Sequence, residues 1–277
     1  MTGEEIRFKS LQYRIKTLKL IKKANTGHTG GDLSSTDILN VLYNHVLNIS
    51  ASNFQDPDRD RFIMSKGHSV EVLYTGEKRK DEIIEIELDA TNSWDKLKDL
   101  EAVIEANRFS LLDAGPVVVG NIGFVGNVGW YDHSFRSERL NLPLEYYIKQ
   151  MWPEMGIGWN DRRYVKWDAS DQEITDFFVE KLRTDLEAVD AERVVVVMHH
   201  LPFIEMCRDI DNEKGEFYMA FAGSKKFGDI ILGDKRVRVV VAGHTHSPKY
   251  ARIKGMDCYV IGSDYDFKRY IEIEVPK

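Results

Sequence analysis

The chain has 277 residues, room for one large domain or two small ones, and a formal net charge of −7. A hydrophobic fraction of 43% with 11% aromatics supports a sizeable core and excludes global disorder. The acidic balance gives no reason to expect nucleic-acid binding, and no apolar run approaches the ~20 residues of a membrane span. The N-terminus lacks the basic-then-apolar pattern of a signal peptide, and Cys207 and Cys258 sit far apart without ligand spacing. Reduced thiols in a cytoplasmic protein are expected.

In chain order, residues 4–24 predict an amphipathic helix, with Ile6, Leu11, Ile15, Leu18 and Ile21 as its apolar face. A glycine-rich loop follows, Asn25-Thr26-Gly27-His28-Thr29-Gly30-Gly31. Ser34 and Ser35 read as caps of a second helix over about 36–48. After the acidic turn Asp56 to Asp60 come a short strand, Arg61-Phe62-Ile63-Met64, and the loop Ser65-Lys66-Gly67-His68-Ser69. The run Ile21-Lys22-Lys23-Ala24-Asn25 into Gly27-His28-Thr29-Gly30-Gly31, then Leu33-Ser34-Ser35-Thr36-Asp37-Ile38-Leu39 and Arg59-Asp60-Arg61-Phe62-Ile63-Met64-Ser65-Lys66-Gly67-His68, resembles the start of a transketolase. The resemblance implies that His28 and His68 approach thiamine diphosphate and substrate. Glycine-rich loops at helix starts do offer backbone N–H groups to phosphate. That family also needs a Gly-Asp-Gly segment to hold Mg²⁺ against the diphosphate, and none occurs in this chain. Thiamine diphosphate with Mg²⁺ is therefore not expected to bind.

The resemblance covers residues 1–74. Residues 75–90 read as a join, charged from Lys78 to Glu82 and then strand-like from Ile83 to Leu88, without the Pro/Ser/Gly composition of a linker between complete domains. The remainder, 91–277, alternates elements. Helices are predicted over 93–107, 143–151, 171–189 and 224–232. Strands are predicted over 116–119, 121–125, 194–197, 217–222, 239–242, 258–261 and 270–275. This is the pattern of an α/β layered fold.

Two of these strands carry histidines at their ends. Val194-Val195-Val196-Val197-Met198 runs into His199-His200, and Val239-Val240-Val241-Ala242-Gly243 into His244-Thr245-His246. Strand tips of an α/β sheet meet at one edge, and neighbouring imidazoles there can reach a common metal; ordinary loop histidines are the plainer alternative. With Phe124-Val125-Gly126-Asn127-Val128-Gly129-Trp130-Tyr131-Asp132, Met198-His199-His200-Leu201-Pro202-Phe203, Gly243-His244-Thr245-His246 and Ile261-Gly262-Ser263-Asp264-Tyr265, this part resembles the later two-thirds of a calcineurin-like metallophosphoesterase. The resemblance implies a four-layer α/β/β/α sandwich, incomplete here, preceded by the helical transketolase-like segment. It also implies that His199 and His244 ligate one metal and His246 another, with His200 behind them or on the substrate side. Two metals clamp a phosphoester and activate a bridging water.

The family's other ligands sit in Asp-x-His, Gly-Asp-x-x-Asp and Gly-Asn-His-Asp motifs. No histidine here lies two residues after an aspartate, and the one Asn-His pair, Asn44-His45, falls in the transketolase-like segment. The histidines remain and the carboxylates do not. A divalent ion (Mn, Zn or Fe) is expected to bind weakly, since hard cations prefer oxygen ligands. The expected function is a phosphoester hydrolase by ancestry, inactive or weakly metal-binding, with a small phosphoester as substrate if active. The alternatives are a transketolase N-terminal subunit or fragment for ketol transfer, and a non-catalytic interaction protein. Trp130, Tyr131, Trp152, Trp159 and Trp167 are expected in packing. A chimera of two truncated parts leaves strand edges exposed, so marginal stability or oligomerisation is expected.

Overall fold

The computed structural model describes residues 2–24, 29–48, 93–95, 98, 112–262 and 271–276. The chain forms two compact units. One comprises Met1–Asp89, Val103–Phe109 and Asp264–Lys268; the other comprises Ala90–Ala102, Ser110–Ser263 and Arg269–Lys277. Among the described residues no helix is long and apolar enough to cross a membrane.

In the first unit α1 spans Gly3–Ala24 and α2 spans Thr29–Val41, continuing as a wider π turn over Leu42–Val46. Thr2 and Glu5 cap α1 reciprocally, Glu5 N donating to Thr2 Oγ1 at 3.2 Å and Thr2 N to Glu5 Oε2 at 2.7 Å. The second helix starts earlier than Ser34 and Ser35 suggest, because Asp32 already occupies its first turn. Thr36 hydroxyl donates back to the Asp32 carbonyl at 3.0 Å, a bond that lets a polar stretch stay helical. The predicted strand at 61–64, His28 and His68, the Ile83–Leu88 strand and most of the 93–107 helix lie outside the described residues.

In the second unit β1 (Val117–Val119) and β2 (Ile122–Val125) form a hairpin. Then come α3 (Leu144–Ile148), the short antiparallel pair β3 (Met151–Trp152) and β4 (Ile157–Gly158), and α4 (Asp161–Tyr164). Helix α5 spans Asp171–Ala188 and opens with a capping box: Ser170 Oγ accepts from Glu173 N while the Glu173 carboxylate accepts from Ser170 N at 2.8 Å. Its buried face is Ile174, Phe178, Leu182 and Leu186. At its far end Arg236 donates to the Val189 carbonyl at 2.8 Å and to the Leu186 carbonyl, satisfying groups the helix leaves open.

Strand β5 (Arg193–Val197), α6 (Glu213–Met219), α7 (Lys225–Gly233), β6 (Val237–Ala242), β7 (Lys249–Ile253) and β8 (Met256–Val260) complete the unit. The six-stranded sheet runs β1-β2-β5-β6-β8-β7, parallel across β2, β5, β6 and β8 and antiparallel at both edges. A register shift between Val194 and Val195, opposite Val237 and Val239, passes over Arg238. Val194, Val196, Val240 and Ala242 then join the main core with α5 and α7, while Val195, Val239 and Val241 cluster on the opposite face.

Two predicted strands do not form among the described residues, and a strand not predicted appears at the sheet edge. Residues 217–222 do not form a strand. Asn212 Oδ1 accepts from Gly215 N at 2.8 Å and caps α6, acids occupy its first turn, and Phe217 is buried. Residues 271–276 carry no strand; Ile273 and Val275 pack on the Val195, Val239 and Val241 face, where Arg193 Nη1 donates to the Val275 carbonyl at 2.9 Å. Strand β7, which the sequence pattern does not predict, pairs with β8 through a tight turn at Gly255. Among the described residues there is one large sheet and the two-stranded β3–β4, so the sheet-on-sheet layering expected from the sequence is not seen in them.

Gly126 is where β2 meets β5 most closely. A Cβ there would stand 1.7 Å from the Val197 carbonyl oxygen, at a φ of +154°. Gly126→Ala is expected to cost about 3 kcal/mol or more. A shifted denaturant midpoint at unchanged m-value would show it, and a midpoint within error of wild type would rule out this packing.

Candidate histidine site at the strand tips

Because β2, β5 and β6 are parallel, their C-terminal ends open onto one edge of the sheet. Strand β5 leads into Met198, His199 and His200; β6 leads into Gly243 and His244; β2 leads into the loop from Gly126 to His133. Backbone bonds tie these ends together. Met198 N donates to Val241 O at 2.9 Å, Gly243 N to His199 O at 3.2 Å, and His200 N to Val128 O at 3.1 Å. His244 and His246 hold left-handed backbone, with φ of +65° and +54°, an uncommon conformation for histidine.

Three imidazoles meet there. Ring centroids lie 4.3 Å apart for His200 and His244, 5.0 Å for His199 and His244, and 5.2 Å for His199 and His200. His199 Nε2 stands 3.1 Å from His244 Nδ1, and His244 Nε2 stands 3.0 Å from the Phe221 carbonyl oxygen. A carbonyl can only accept, so His244 carries its hydrogen on Nε2. Its Nδ1 then holds the lone pair and accepts from His199 Nε2–H. His246 is half-buried on the same loop.

His200 is held differently. Its Nδ1 lies 3.0 Å from the Val128 carbonyl, which fixes the hydrogen on Nδ1. Val128 N in turn donates to Asp113 Oδ1 at 2.9 Å, so Asp113 sets the position of the carbonyl that orients His200. The Nε2 atom of His200 is buried without a hydrogen-bond partner. Burial pushes the ring down to a pKa of about 4, only partly opposed by its bond to Val128 and the charge of Asp171. It is neutral at ordinary pH.

Beside the imidazoles stands an aromatic wall. Trp159 stacks on Phe221 at 5.3 Å and sits 5.8 Å from His244, while Trp130 and Tyr131 lie 5.2 and 5.7 Å from His200. Behind it Asp161 accepts from Tyr131 Oη at 3.1 Å and Trp159 Nε1 at 2.7 Å. Asp171 accepts from Trp130 Nε1 at 2.8 Å and lies 3.2 Å from His133 Nε2. Burial and the nearby Asp161 and Asp171 raise the Tyr131 phenol well above its usual range, so it acts as a donor. Trp130, Tyr131 and Trp152 are core residues; Trp159 and Trp167 are packed against that core. Sequence pattern does not single out Phe221, Asp113, Asp161 or Asp171. Phe221 contributes a carbonyl, which leaves no trace in residue type, and the three aspartates act through folding rather than through a motif.

The donor set decides what the site can hold. Two imidazoles sharing one Zn²⁺ at about 2.0–2.1 Å would place their nitrogens about 3.3 Å apart, so the 3.1 Å spacing alone is neutral. The hydrogens are neutral too: the Nε2–H of His244 on the Phe221 carbonyl leaves an Nδ1 lone pair that can face a ring N–H or a metal ion. Among the described residues no group of three or more His, Cys, Asp or Glu side chains is arranged to hold a metal ion. Among the described residues, then, the histidines are not joined by the carboxylates that a dinuclear centre for hard cations would use.

Comparison with known proteins divides the chain. Residues 9–96 match the family described as transketolase, thiamine diphosphate binding domain. An apulose-4-phosphate transketolase subunit of Phocaeicola vulgatus is 39% identical over 74 residues, which cover 27% of this chain and 26% of that protein. The transketolase of Treponema pallidum is 36% identical over 74 residues, 27% of this chain and 11% of that protein. A 6-deoxy-6-sulfo-D-fructose transketolase subunit of a Clostridium species is 43% identical over 58 residues, 21% of each. The chain thus spans about a quarter or less of these relatives. Among solved structures, the phosphopantetheinyl hydrolase of Mycobacterium tuberculosis aligns with a TM-score of 0.52 at 17% identity, over 65% of each chain. That span exceeds the first unit, so the shared fold takes in the sheet-bearing unit.

The buried neutral His200 sets a pH dependence. Its folded pKa lies below the unfolded value near 6.5, so its stabilisation is present above 6.5 and is lost as pH falls towards about 4. The full loss is on the order of 3 kcal/mol. His200→Gln should flatten that part of the stability–pH curve, read from urea melts between these limits; an unchanged slope would contradict the buried neutral ring.

Proposed function

We propose that the sheet-bearing unit is a hydrolase fold of calcineurin-like phosphoesterase ancestry that does not hydrolyse phosphoesters by two-metal chemistry. The observation that carries this reading is the His199–His244–Phe221 arrangement at the tips of β5 and β6. The histidines stand where parallel strand ends make a site, as in a phosphoesterase, yet among the described residues no Asp or Glu is arranged with them to hold a metal ion. The fold likeness to a phosphopantetheinyl hydrolase supports the hydrolase ancestry. No Asp-x-His or Gly-Asn-His-Asp occurs in the sequence to supply the carboxylate a hard cation prefers. Any divalent ion that His199, His200, His244 or His246 takes is held weakly, Zn²⁺ in preference to Mn²⁺ or Fe²⁺. A small phosphoester is the ligand class the ancestry suggests, and a cytoplasmic setting suits the buried, reduced Cys207 and Cys258.

The transketolase match favours a second reading for residues 9–96, a segment of a thiamine diphosphate enzyme. The lack of a Gly-Asp-Gly segment speaks against cofactor binding by this chain alone. Calorimetric titration with thiamine diphosphate and Mg²⁺ is expected to give no saturable heat; a stoichiometric isotherm would establish the second reading.

The first reading is tested with bis(p-nitrophenyl) phosphate and Mn²⁺ or Zn²⁺. Release of nitrophenol is expected to equal that of the His199→Ala and His246→Ala variants. Turnover above those controls would show a working metal site.

A further inference from the structure

Helix α1 is built inside out. The side it buries is Ser10, Tyr13 and Thr17, at i, i+3 and i+7. Asn40 Nδ2 donates to Ser10 Oγ at 2.8 Å and to the Ile6 carbonyl at 2.7 Å, and Asn44 Nδ2 donates to Tyr13 Oη at 3.3 Å. The side it exposes is apolar: Phe8 is 62% exposed, Leu11 58%, Ile15 54% and Leu18 43%. With about 200 Å² for each side chain when fully exposed, the stripe presents roughly 400 Å², in the range where an apolar patch marks a binding surface. Sequence periodicity points these residues at a core, and among the described residues they do not reach one.

The spacing 8, 11, 15, 18 is that of positions a and d in a heptad, the seam that receives another helix. The seam has a charge. Helix α1 carries seven Lys or Arg against Glu4 and Glu5, a net +5 in a chain of −7. Lys9 donates to Asn44 Oδ1 at 2.9 Å and Arg14 pairs with Asp37 at 2.5 Å; Arg7, Lys16, Lys19 and Lys22 are exposed. Arg7 and Lys19 border the seam directly.

We propose that the Phe8–Leu11–Ile15–Leu18 face docks an amphipathic helix of a separate polypeptide whose apolar stripe is bordered by acidic side chains. Charge complementarity selects that occupant. A second copy of α1 would set Arg7 and Lys19 against their own kind, a repulsive arrangement at seam-flanking positions. A lipid surface suits a broad apolar face with water on the opposite side, whereas this stripe is narrow and its opposite side is bound to α2.

The test uses the full chain and two labelled helical peptides with Leu and Ile at a and d, one with Glu at e and g and one with Lys. By fluorescence anisotropy at low salt the Glu peptide is expected to bind about tenfold or more tightly than the Lys peptide, with the preference reduced at high salt. The double variant Leu11→Ser, Ile15→Ser is expected to lose the binding with its helical circular dichroism retained. If that variant unfolds, Arg7→Glu with Lys19→Glu, at exposed positions, is expected to reverse the peptide preference. Equal affinity for the two peptides, or binding of neither, would overturn the proposal. So would a dimer in sedimentation that dissociates in the double variant, which would identify a second copy as occupant. Sedimentation with phosphatidylserine vesicles that is lost in that variant would overturn it in favour of a lipid surface.

Discussion

The hydrogen bond between His199 and His244 joins the ends of two adjacent parallel strands, and the arrangement around the site follows from it. Strand pairing carries β5 and β6 in register to Val197 and Val241, and the bonds from Met198 and Gly243 extend that pairing past the strands. The two imidazoles are thereby brought to 3.1 Å with little freedom to separate. The left-handed backbone at His244 aims the other ring nitrogen at the Phe221 carbonyl, between α6 and α7. A carbonyl acceptor on one side and an imidazole donor on the other leave one tautomer for His244. In this structure the edge that could gather metal ligands is joined through protein hydrogen bonds.

The surroundings reinforce that closure. His200 is fixed by Val128 and, through it, by Asp113, and its burial keeps it neutral. The aromatic wall of Trp130, Tyr131, Trp159 and Phe221 is anchored by Asp161 and Asp171, whose oxygens face indole and phenol donors and, for Asp171, the His133 ring. Carboxylates are therefore present in the neighbourhood, but their partners there are structural. In a site where charge chemistry depends on oxygen ligands, that placement matters more than the number of histidines.

Much of this fold is readable from residues. The valine runs at 194–197 and 239–242 announce buried strands, and apolar periodicity announces α5, whose Ser170–Glu173 capping box the structure adds. The histidines at the strand ends follow from those runs. Helix α6 is missed because Phe217 to Ala222 is apolar and short, a run whose period cannot tell strand from helix; the deciding signal is Asn212 at its cap. Strand β7 is missed because its exposed edge position leaves a weak pattern, and the 271–276 segment because its apolar residues cover a sheet face without pairing. Helix α1 shows the reverse failure. Its apolar face is plain in the sequence, but periodicity cannot say whether the surface meeting that face belongs to the same chain.

The tautomer of His244 is the most direct measurement. In protein labelled with ¹⁵N at histidine, long-range ¹H–¹⁵N correlation should show His244 as the Nε2–H form and His200 as the Nδ1–H form at neutral pH. One equivalent of Zn²⁺ should leave the His244 pattern unchanged. An Nδ1–H form, or a stoichiometric shift of both His199 and His244 nitrogens to metal-bound values, would contradict the hydrogen-bonded site.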